Sequence, residues 1–236
     1  MSLSSNPKQN QLLAALPSEE YEQLLPHLEL VALDLKKILY NPNESISFVY
    51  FILSGVISLL TIMPHGAIVE VATVGNEGFI GLPVFLGATQ IPGQALCQVP
   101  GTAMRMNAEI FKREVTQGTM LFNMLQRYTQ ALFNQVAQSA ACNRIHTIEE
   151  RFCRWILMTR DRVPGDTFPL THEFLGQMLG VRRASVTEVA MRIQHAGLIL
   201  YKYGKMTVLD REGLESASCE CYQIVKREFE RLVGGN

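Results

Sequence analysis

The stretch that decides the architecture is LTHEFLGQMLGVRRASVTEVAMRIQHAGLILYKYGKMTVL, residues 170–209. It predicts a helix, a tight turn, a second helix and a short hairpin. Thr171 is placed to cap the first helix, whose inward positions Phe174, Leu175, Met178 and Leu179 form an i, i+1, i+4, i+5 stripe. Gly180 supplies the left-handed backbone that ends it, and Val181 fills the angle between the two helices. The second helix starts at about Arg182 and runs to Ala196. Val186, Val189, Ala190 and Ile193 turn inward, and Arg182, Arg183, Ser185, Thr187, Glu188 and Arg192 project from the other faces. Gly197 stops it, and LILYKY and KMTVL, broken by Gly204, predict a hairpin with Lys202 and Lys205 near its tip.

A second helix of this kind lies in the DNA major groove and offers its N-terminal residues to base edges. An arginine fork at Arg182 or Arg183 matches the O6 and N7 acceptors of guanine, and the hydroxyls of Ser185 and Thr187 suit phosphates or less selective edge contacts. Charge agrees with this. The chain as a whole is near neutral, with 21 basic and 22 acidic residues, but 170–209 carries five basic residues against two acidic ones. Residues 210–236 carry four basic against six acidic, which puts the expected DNA face on the second helix and the hairpin rather than on the tail.

Upstream the texture changes twice. Residues 12–29 predict a small helical lead-in with Ser18 as cap and Glu19 and Glu20 in its first turn. From about 30 to 108, short β-prone runs such as KKILY, SFVYFIL, GVISLLTIM, AIVEVATV, ALCQV and TAMRM alternate with glycine, proline and asparagine, predicting a β-roll of about eight strands. A short helical element through FKREV precedes a long amphipathic helix from near Gly118 to Ala141. Leu121, Leu125, Tyr128, Leu132 and Val136 make one stripe, assigned to dimerisation, and Phe122, Phe133, Ala137 and Ala140 make a second face. One face has the roll to cover and the other a twin helix. Thr147 and Glu150 fit a capping box, opening a helix that sends Phe152, Trp155, Ile156 and Met158 into a second core. The fold class is therefore α+β, in three parts: a sensor-like β-roll with its lead-in (1–117), a dimerisation helix and hinge (118–145), and a winged helix-turn-helix with a C-terminal helix (146–236).

Composition excludes other classes. The start of the chain lacks the basic and apolar regions of a signal peptide, and runs such as FVYFIL are too short to span a bilayer, so a cytoplasmic protein with no membrane partner is expected. Five cysteines, at 97, 142, 153, 219 and 221, form no CxxC pair and read as reduced thiols. Cys219 and Cys221, placed two apart on a C-terminal helix, would face different ways, which argues against a disulfide or a metal clip.

With the roll, the long helix and the winged module in this order, the chain resembles the Crp/Fnr superfamily of bacterial transcription regulators, relatives of the cyclic-AMP receptor protein, over nearly its whole length. The resemblance is strongest from Leu170 to Ile199, including the Gly-x-x-x-Gly step at Gly176 and Gly180. It implies a cyclic-nucleotide-binding-like jelly roll, a homodimer, a pseudo-palindromic double-stranded operator and RNA polymerase as a candidate partner. It also implies that Arg183 reads guanine and that His172, Arg182 and Ser185 meet phosphates or neighbouring bases. Ala184 stands where well-known members carry a base-reading glutamate, and Glu188 where they carry an arginine, so the implied operator differs from theirs.

The resemblance also locates an effector cassette within GNEGFIGLPVFLGATQIPGQALCQV (75–99) and shows it degenerate. Gly81 is kept, Leu82 or Pro83 takes the place of the glutamate that holds a ribose hydroxyl, and Gln94 and Ala95 take those of the arginine and serine that hold the cyclic phosphate. Neither leucine nor a neutral amide replaces those charges, so ordinary cyclic-AMP control is not expected and the effector is unassigned. Arg105 reads as a strand residue with a surface charge. No cofactor is expected: the N-terminal segment lacks the cysteines of an iron–sulfur site, and His27, His65 and Cys97 are isolated as haem ligands. The β-region also lacks the paired histidines of a cupin metalloenzyme. No nucleophile, base and orienter stand together, so an enzyme is not expected. The remaining alternatives are a β-roll binding protein with a vestigial helix-turn-helix, or a cupin-like enzyme.

Overall fold

A computed structural model describes residues 6–234; the opening of the stretch read for a signal peptide lies outside the described residues. The lead-in is two short helices, α1 (Gln11–Ala14) and α2 (Ser18–Leu24). Pro17, not Ser18, occupies the cap position of α2 and makes no side-chain cap bond; a proline with an extended ψ starts the helix one residue earlier than the serine signal suggests. Asn10, fully buried, caps α1 through Leu12 and Leu13 and donates its amide to the carbonyls of Ile52 and Gly78, tying the lead-in to the roll.

The β-roll contains six strands rather than about eight: β1 (Glu29–Leu33), β2 (Ile38–Tyr40), β3 (Phe48–Ile62), β4 (Ile68–Val74), β5 (Phe79–Ile80) and, after the short helix α3 (Leu82–Phe85), β6 (Gly93–Asn107). The count falls because SFVYFIL and GVISLLTIM are one 15-residue strand, as are ALCQV and TAMRM. Gly55 and Gly101, expected as breaks, are bulge sites where the two long strands cross: a Cβ on Gly101 would stand 2.0 Å from the Ser54 carbonyl oxygen. All pairings are antiparallel, in the order β1-β6-β3-β4, with β2 on β6 and β5 on β3. Arg105, on β6, is a strand residue as expected. It pairs with Glu29 through two bonds of 2.8 and 2.9 Å and lies over the Phe48 ring.

After α4 (Ala108–Glu114), the long helix α5 runs Met120–Ile145. Thr119 caps it, and the Glu20 carboxylate accepts from the Met120 and Leu121 amides, both at 2.8 Å, placing a negative charge at the positive end of the helix dipole. The stripe assigned to dimerisation is corrected here. Leu121, Leu125, Tyr128 and Leu132 are buried and Val136 is half-buried, all packed on the chain's own roll, with the Tyr128 hydroxyl donating to the Phe79 carbonyl at 3.1 Å. The second face, with Phe133 at 66% exposure and Ala137 and Ala140 exposed, is left free. Heptad-like spacing shows that a helix has two apolar faces but not which one its own domain claims.

Beyond the hinge come α6 (Ile148–Arg160), β7 (Thr167–Pro169), α7 (His172–Leu179), α8 (Arg183–His195), β8 (Ile199–Lys202), β9 (Lys205–Val208), α9 (Arg211–Ala217) and α10 (Cys221–Leu232). The hairpin is joined by β7, a third strand too short to register in the sequence pattern, giving the order β7-β9-β8. Helix α10 straddles both cores: Tyr222 belongs to that of the winged module, Val225 and Phe229 to that of the roll. Among the described residues no helix is long and apolar enough to cross a membrane.

The module sits against the roll through a mixed seam. Val56, Leu60 and Val99 of the roll join the apolar core of the module. Arg162 crosses Gly75 to reach Glu77 at 2.8 Å and Thr73 at 2.6 Å, with both ion-pair partners nearly buried. Trp155 donates its indole N–H to Glu70 at 2.8 Å. Burial pushes the Glu70 carboxyl up to about 7, against the lowering influence of Ser58, Trp155, Arg154 and Arg162. Because this pKa is raised on folding, the stabilisation is full below the unfolded carboxylate value of about 4.5 and is lost as pH rises through about 7. Glu70→Gln, neutral throughout, is expected to be relatively more stable than the parent at about pH 8 than at about pH 5; thermal melts with a pH-independent difference would refute the buried titration.

Candidate nucleic-acid interface

The first helix of the motif forms as its sequence directs. The Thr171 hydroxyl accepts from the Phe174 amide at 3.1 Å, and Gly180 ends α7 in the left-handed region at φ 65°. Gly176 is needed for proximity, since a Cβ there would lie 3.0 Å from the Val181 carbonyl oxygen. This contact lets the turn fold back onto α7 and sets the angle of α8. The predicted inward residues of α8, Val186, Val189, Ala190 and Ile193, are all buried.

Helices α6, α7 and α9 have side-chain caps from Thr147, Thr171 and Asp210, the first within the predicted capping box, but α8 has none. Its cap position is Arg182, so the first-turn amides remain available to an anion. Arg182, Arg183 and Ala184 are exposed there, Ser185 and Thr187 are half-buried, and Glu188 is exposed a turn further on. Arg182 and Arg183 form no ion pair among the described residues. Arg192, by contrast, is engaged by Glu149 at 2.8 Å.

His172 is not a freely projecting side chain. Its ring stacks on Tyr201 at 4.1 Å between centroids, and Nδ1 lies 3.0 Å from the Thr187 hydroxyl. That hydroxyl donates to the Arg183 carbonyl at 3.0 Å, which leaves His172 Nδ1–H as the donor to Thr187. Burial first, and the Arg183 charge second, hold the imidazole below its ordinary pKa, so it is neutral at pH 7. One chain of contacts thus links Tyr201 of the hairpin, His172, Thr187 and the first turn of α8.

At the hairpin tip, Lys202 and Lys205 are register partners and both are exposed. Between them Tyr203 (φ 51°) and Gly204 (φ 72°) make the two-residue turn. Tyr203 is 90% exposed with the Lys202 ammonium 5.2 Å from its ring centroid. Sequence reasoning misses this residue; the available signal is an aromatic at the predicted tip of a hairpin, where no core can claim it.

The effector-cassette residues lie apart from this face. Gly81 adopts φ 126°, and a Cβ there would stand 2.5 Å from Val49. With Leu82 and Pro83 it lines a cavity of about 300 Å³ that Tyr40, Leu59 and Leu132 also line, and no charged side chain is among its lining residues. Ala95 is fully buried in β6, and Gln94 bonds to Asn41 at 3.2 Å; neither lines the cavity. His27, His65 and Cys97 are scattered through the roll, and burial pushes the Cys97 thiol up to about 12.

A β-roll, a long helix and a winged helix-turn-helix together define a DNA-binding transcription regulator, and sequence comparison agrees. Residues 31–117 match the cyclic nucleotide-binding domain and residues 150–217 the Crp-like helix-turn-helix domain. The chain belongs to the Crp/Fnr superfamily of transcription regulators. Similar folds include FixK2 from Bradyrhizobium japonicum (13% identity, TM-score 0.69, 81% of this chain and 98% of that one). A CRP-family regulator from Thermus thermophilus is also similar (17%, 0.66, 80% and 96%), as is the c-di-GMP-responsive global regulator CLP of Xanthomonas campestris (13%, 0.63, 81% and 99%). The Thermus and Xanthomonas proteins are described as regulators. No curated protein sequence matches the chain.

The local geometry can be tested directly. Gly180→Val has open space for its side chain, but places a β-branched residue at φ 65°. It is expected to cost about 1–2 kcal/mol in urea unfolding, whereas Gly180→Asn, which tolerates that backbone, costs less.

Proposed function

We propose that the protein is a cytoplasmic, homodimeric, sequence-specific transcription regulator whose α8 and hairpin read a pseudo-palindromic operator. Residues 1–117 act as the sensor-like unit, 118–145 as the dimerisation helix and hinge, and 146–236 as the DNA reader. The observation that carries this is the uncapped first turn of α8, where Arg182 and Arg183 stand exposed and, among the described residues, in no ion pair. Arg183 has the position for guanine. Arg182, Ser185 and the α8 amides suit the adjoining phosphates, and Thr171, Ala184 and Glu188 border that surface. Lys202 and Lys205 reach the flanking backbone, with Tyr203 between them. His172 and Thr187 serve mainly to hold α8 against the hairpin. RNA polymerase is the expected partner on DNA.

An operator obtained by selection from random DNA with the purified protein provides the test. Arg183→Ala is expected to lose about 1–3 kcal/mol, roughly 5- to 150-fold in affinity, specifically for the selected site. Lys205→Ala is expected to weaken all sequences alike and to flatten the salt dependence. Unchanged site affinity in Arg183→Ala would remove that residue from the reading face.

The exposed face of α5, carrying Phe133, Ala137 and Ala140 with Phe122 at its edge, supports pairing with a second copy. Phe133→Asp is expected to convert a dimer of twice the 26.5 kDa chain mass into a monomer while leaving the fold intact, since Phe133 supports no core of its own chain. Sedimentation of a monomeric parent, or of a dimeric variant, would contradict this face.

The apolar cavity beside Gly81 supports control by something other than a cyclic nucleotide. It has a neutral lining where a cyclic phosphate and ribose need a guanidinium and a carboxylate. Calorimetry with cyclic AMP and cyclic GMP is expected to give no saturable heat; sub-micromolar binding would reverse the conclusion.

A further inference from the structure

At the hinge, three thiols and an imidazole converge. Cys142 lies in the last turn of α5, and His146 is its C-terminal cap, one turn further on. Cys219 comes from the link between α9 and α10, and Cys221 is the first residue of α10. The expectation that these two cysteines diverge is overturned, because Cys219 precedes α10 and is not on the helix at all. In a non-helical link, positions two apart can face the same way. Cys142 Sγ lies 3.6 Å from Cys219 Sγ, Cys221 Sγ lies 3.6 Å from His146 Nδ1, and all four ligand atoms fall within 4.8 Å of one another. The three cysteines are buried.

We propose that Cys142, His146, Cys219 and Cys221 form a tetrahedral binding site for a single thiophilic divalent cation, of which zinc is the best fit. With Zn–S near 2.3 Å and Zn–N near 2.0 Å, ligand atoms of a tetrahedron stand roughly 3.5–3.8 Å apart, the spacing of the two measured pairs. A multi-iron cluster would need its thiolates held much further apart. Three thiolates with one neutral imidazole are a closed structural zinc set.

Three further observations point to the ion. His146 turns Nε2 to Glu220 at 3.2 Å, so a proton held there leaves the Nδ1 lone pair directed at the thiols; this is the carboxylate–histidine pairing that orients metal-binding imidazoles. Gln138 donates to Cys221 Sγ at 3.0 Å, as an outer hydrogen bond to a thiolate would. The third observation is charge. Arg151 and Arg154 are buried: Arg151 donates to the Leu179 carbonyl and Arg154 to the Ser139 hydroxyl, each leaves its Nε without a partner, and among the described residues neither forms a salt bridge. A divalent ion with three thiolates carries a net negative charge, which buried guanidiniums in the same core would balance. The ion fastens the end of α5 to the α9–α10 link across the hinge. This inference does not depend on the DNA reading.

The test uses the full chain, purified under reducing conditions and dialysed against zinc, then against buffer. Elemental analysis is expected to find one zinc per chain, and cobalt exchanged into the protein is expected to show thiolate-to-metal charge transfer with the intense visible bands of tetrahedral coordination. Cys221→Ser and His146→Ala should each lose most of the bound metal while circular dichroism shows the fold retained. If either variant fails to fold, thiol titration of the parent decides instead: zinc should shield three cysteines that a strong chelator releases, with a lower melting temperature after chelation. No retained zinc, an octahedral cobalt spectrum, metal retained undiminished in folded variants, or a Cys142–Cys219 disulfide as the stable form in the presence of zinc would overturn the proposal.

Discussion

The ion pair between Arg162 and Glu77 fixes where the DNA-reading module stands. Arg162 follows the end of α6, the first helix of the module, and Glu77 lies between β4 and β5 of the roll, so the pair joins the two units near the start of one and the sensory edge of the other. Its position is shaped by what is absent. Gly75 has no side chain, and a Cβ there would stand 2.5 Å from Arg162 Cγ. A nearly buried pair of this kind gains little over apolar packing, but its geometry is unforgiving, because either charge left alone would be costly. It therefore specifies one docking arrangement more than it strengthens docking. Trp155 with Glu70, and Gln135 of α5 with the Thr73 carbonyl at 3.2 Å, bond along the same strand edge.

The reading surface is organised by a different logic. The apolar sides of α7 and α8 fix their crossing, while the polar chain from Tyr201 through His172 and Thr187 fixes the hairpin against α8. Neutral His172 serves this role better than a charged one, because the adjoining Arg183 would repel an imidazolium. Arg182 and Arg183 remain exposed because neither the core nor a carboxylate claims them. Arg192, further toward the end of α8, is occupied by Glu149, which marks where the open basic surface stops.

Local signals were legible wherever backbone chemistry is decisive. Thr147 and Glu150 announced a capping box, Thr171 and Gly180 bracketed α7, and Gly197 followed α8, because each of these residues acts through its own backbone or that of near neighbours. Non-local choices were not legible. Gly55 and Gly101 look like strand breaks but are places where two backbones touch. The stripe Leu121, Leu125, Tyr128, Leu132 was visible as apolar, yet its partner is the roll, a fact settled by Phe79 and its neighbours some fifty residues away. The convergence of Cys142, His146, Cys219 and Cys221 was hidden for the same reason, since it depends on a link between helices that spacing alone reads as helix. The absence of charge at Leu82, Pro83, Gln94 and Ala95 was readable; the neutral cavity beside Gly81 required the fold.

The length of α5 has a mechanical consequence. Twenty-six residues at about 1.5 Å each make a rod of about 39 Å, packed on the roll from Leu121 to Val136, bonded further along to α10 through Asn134 with Glu228 and Gln138 with Cys221, and with the Glu20 carboxylate at its start. Such a rod is a lever. A tilt of about 5° at the anchored end carries the other end sideways by roughly 3 Å. The pairing of arginines proposed above, on half-sites one helical turn, about 34 Å, apart, is sensitive to a displacement of that size. Leu132, near the middle of this rod, also lines the cavity beside Gly81, so the cavity wall and the rod share a side chain.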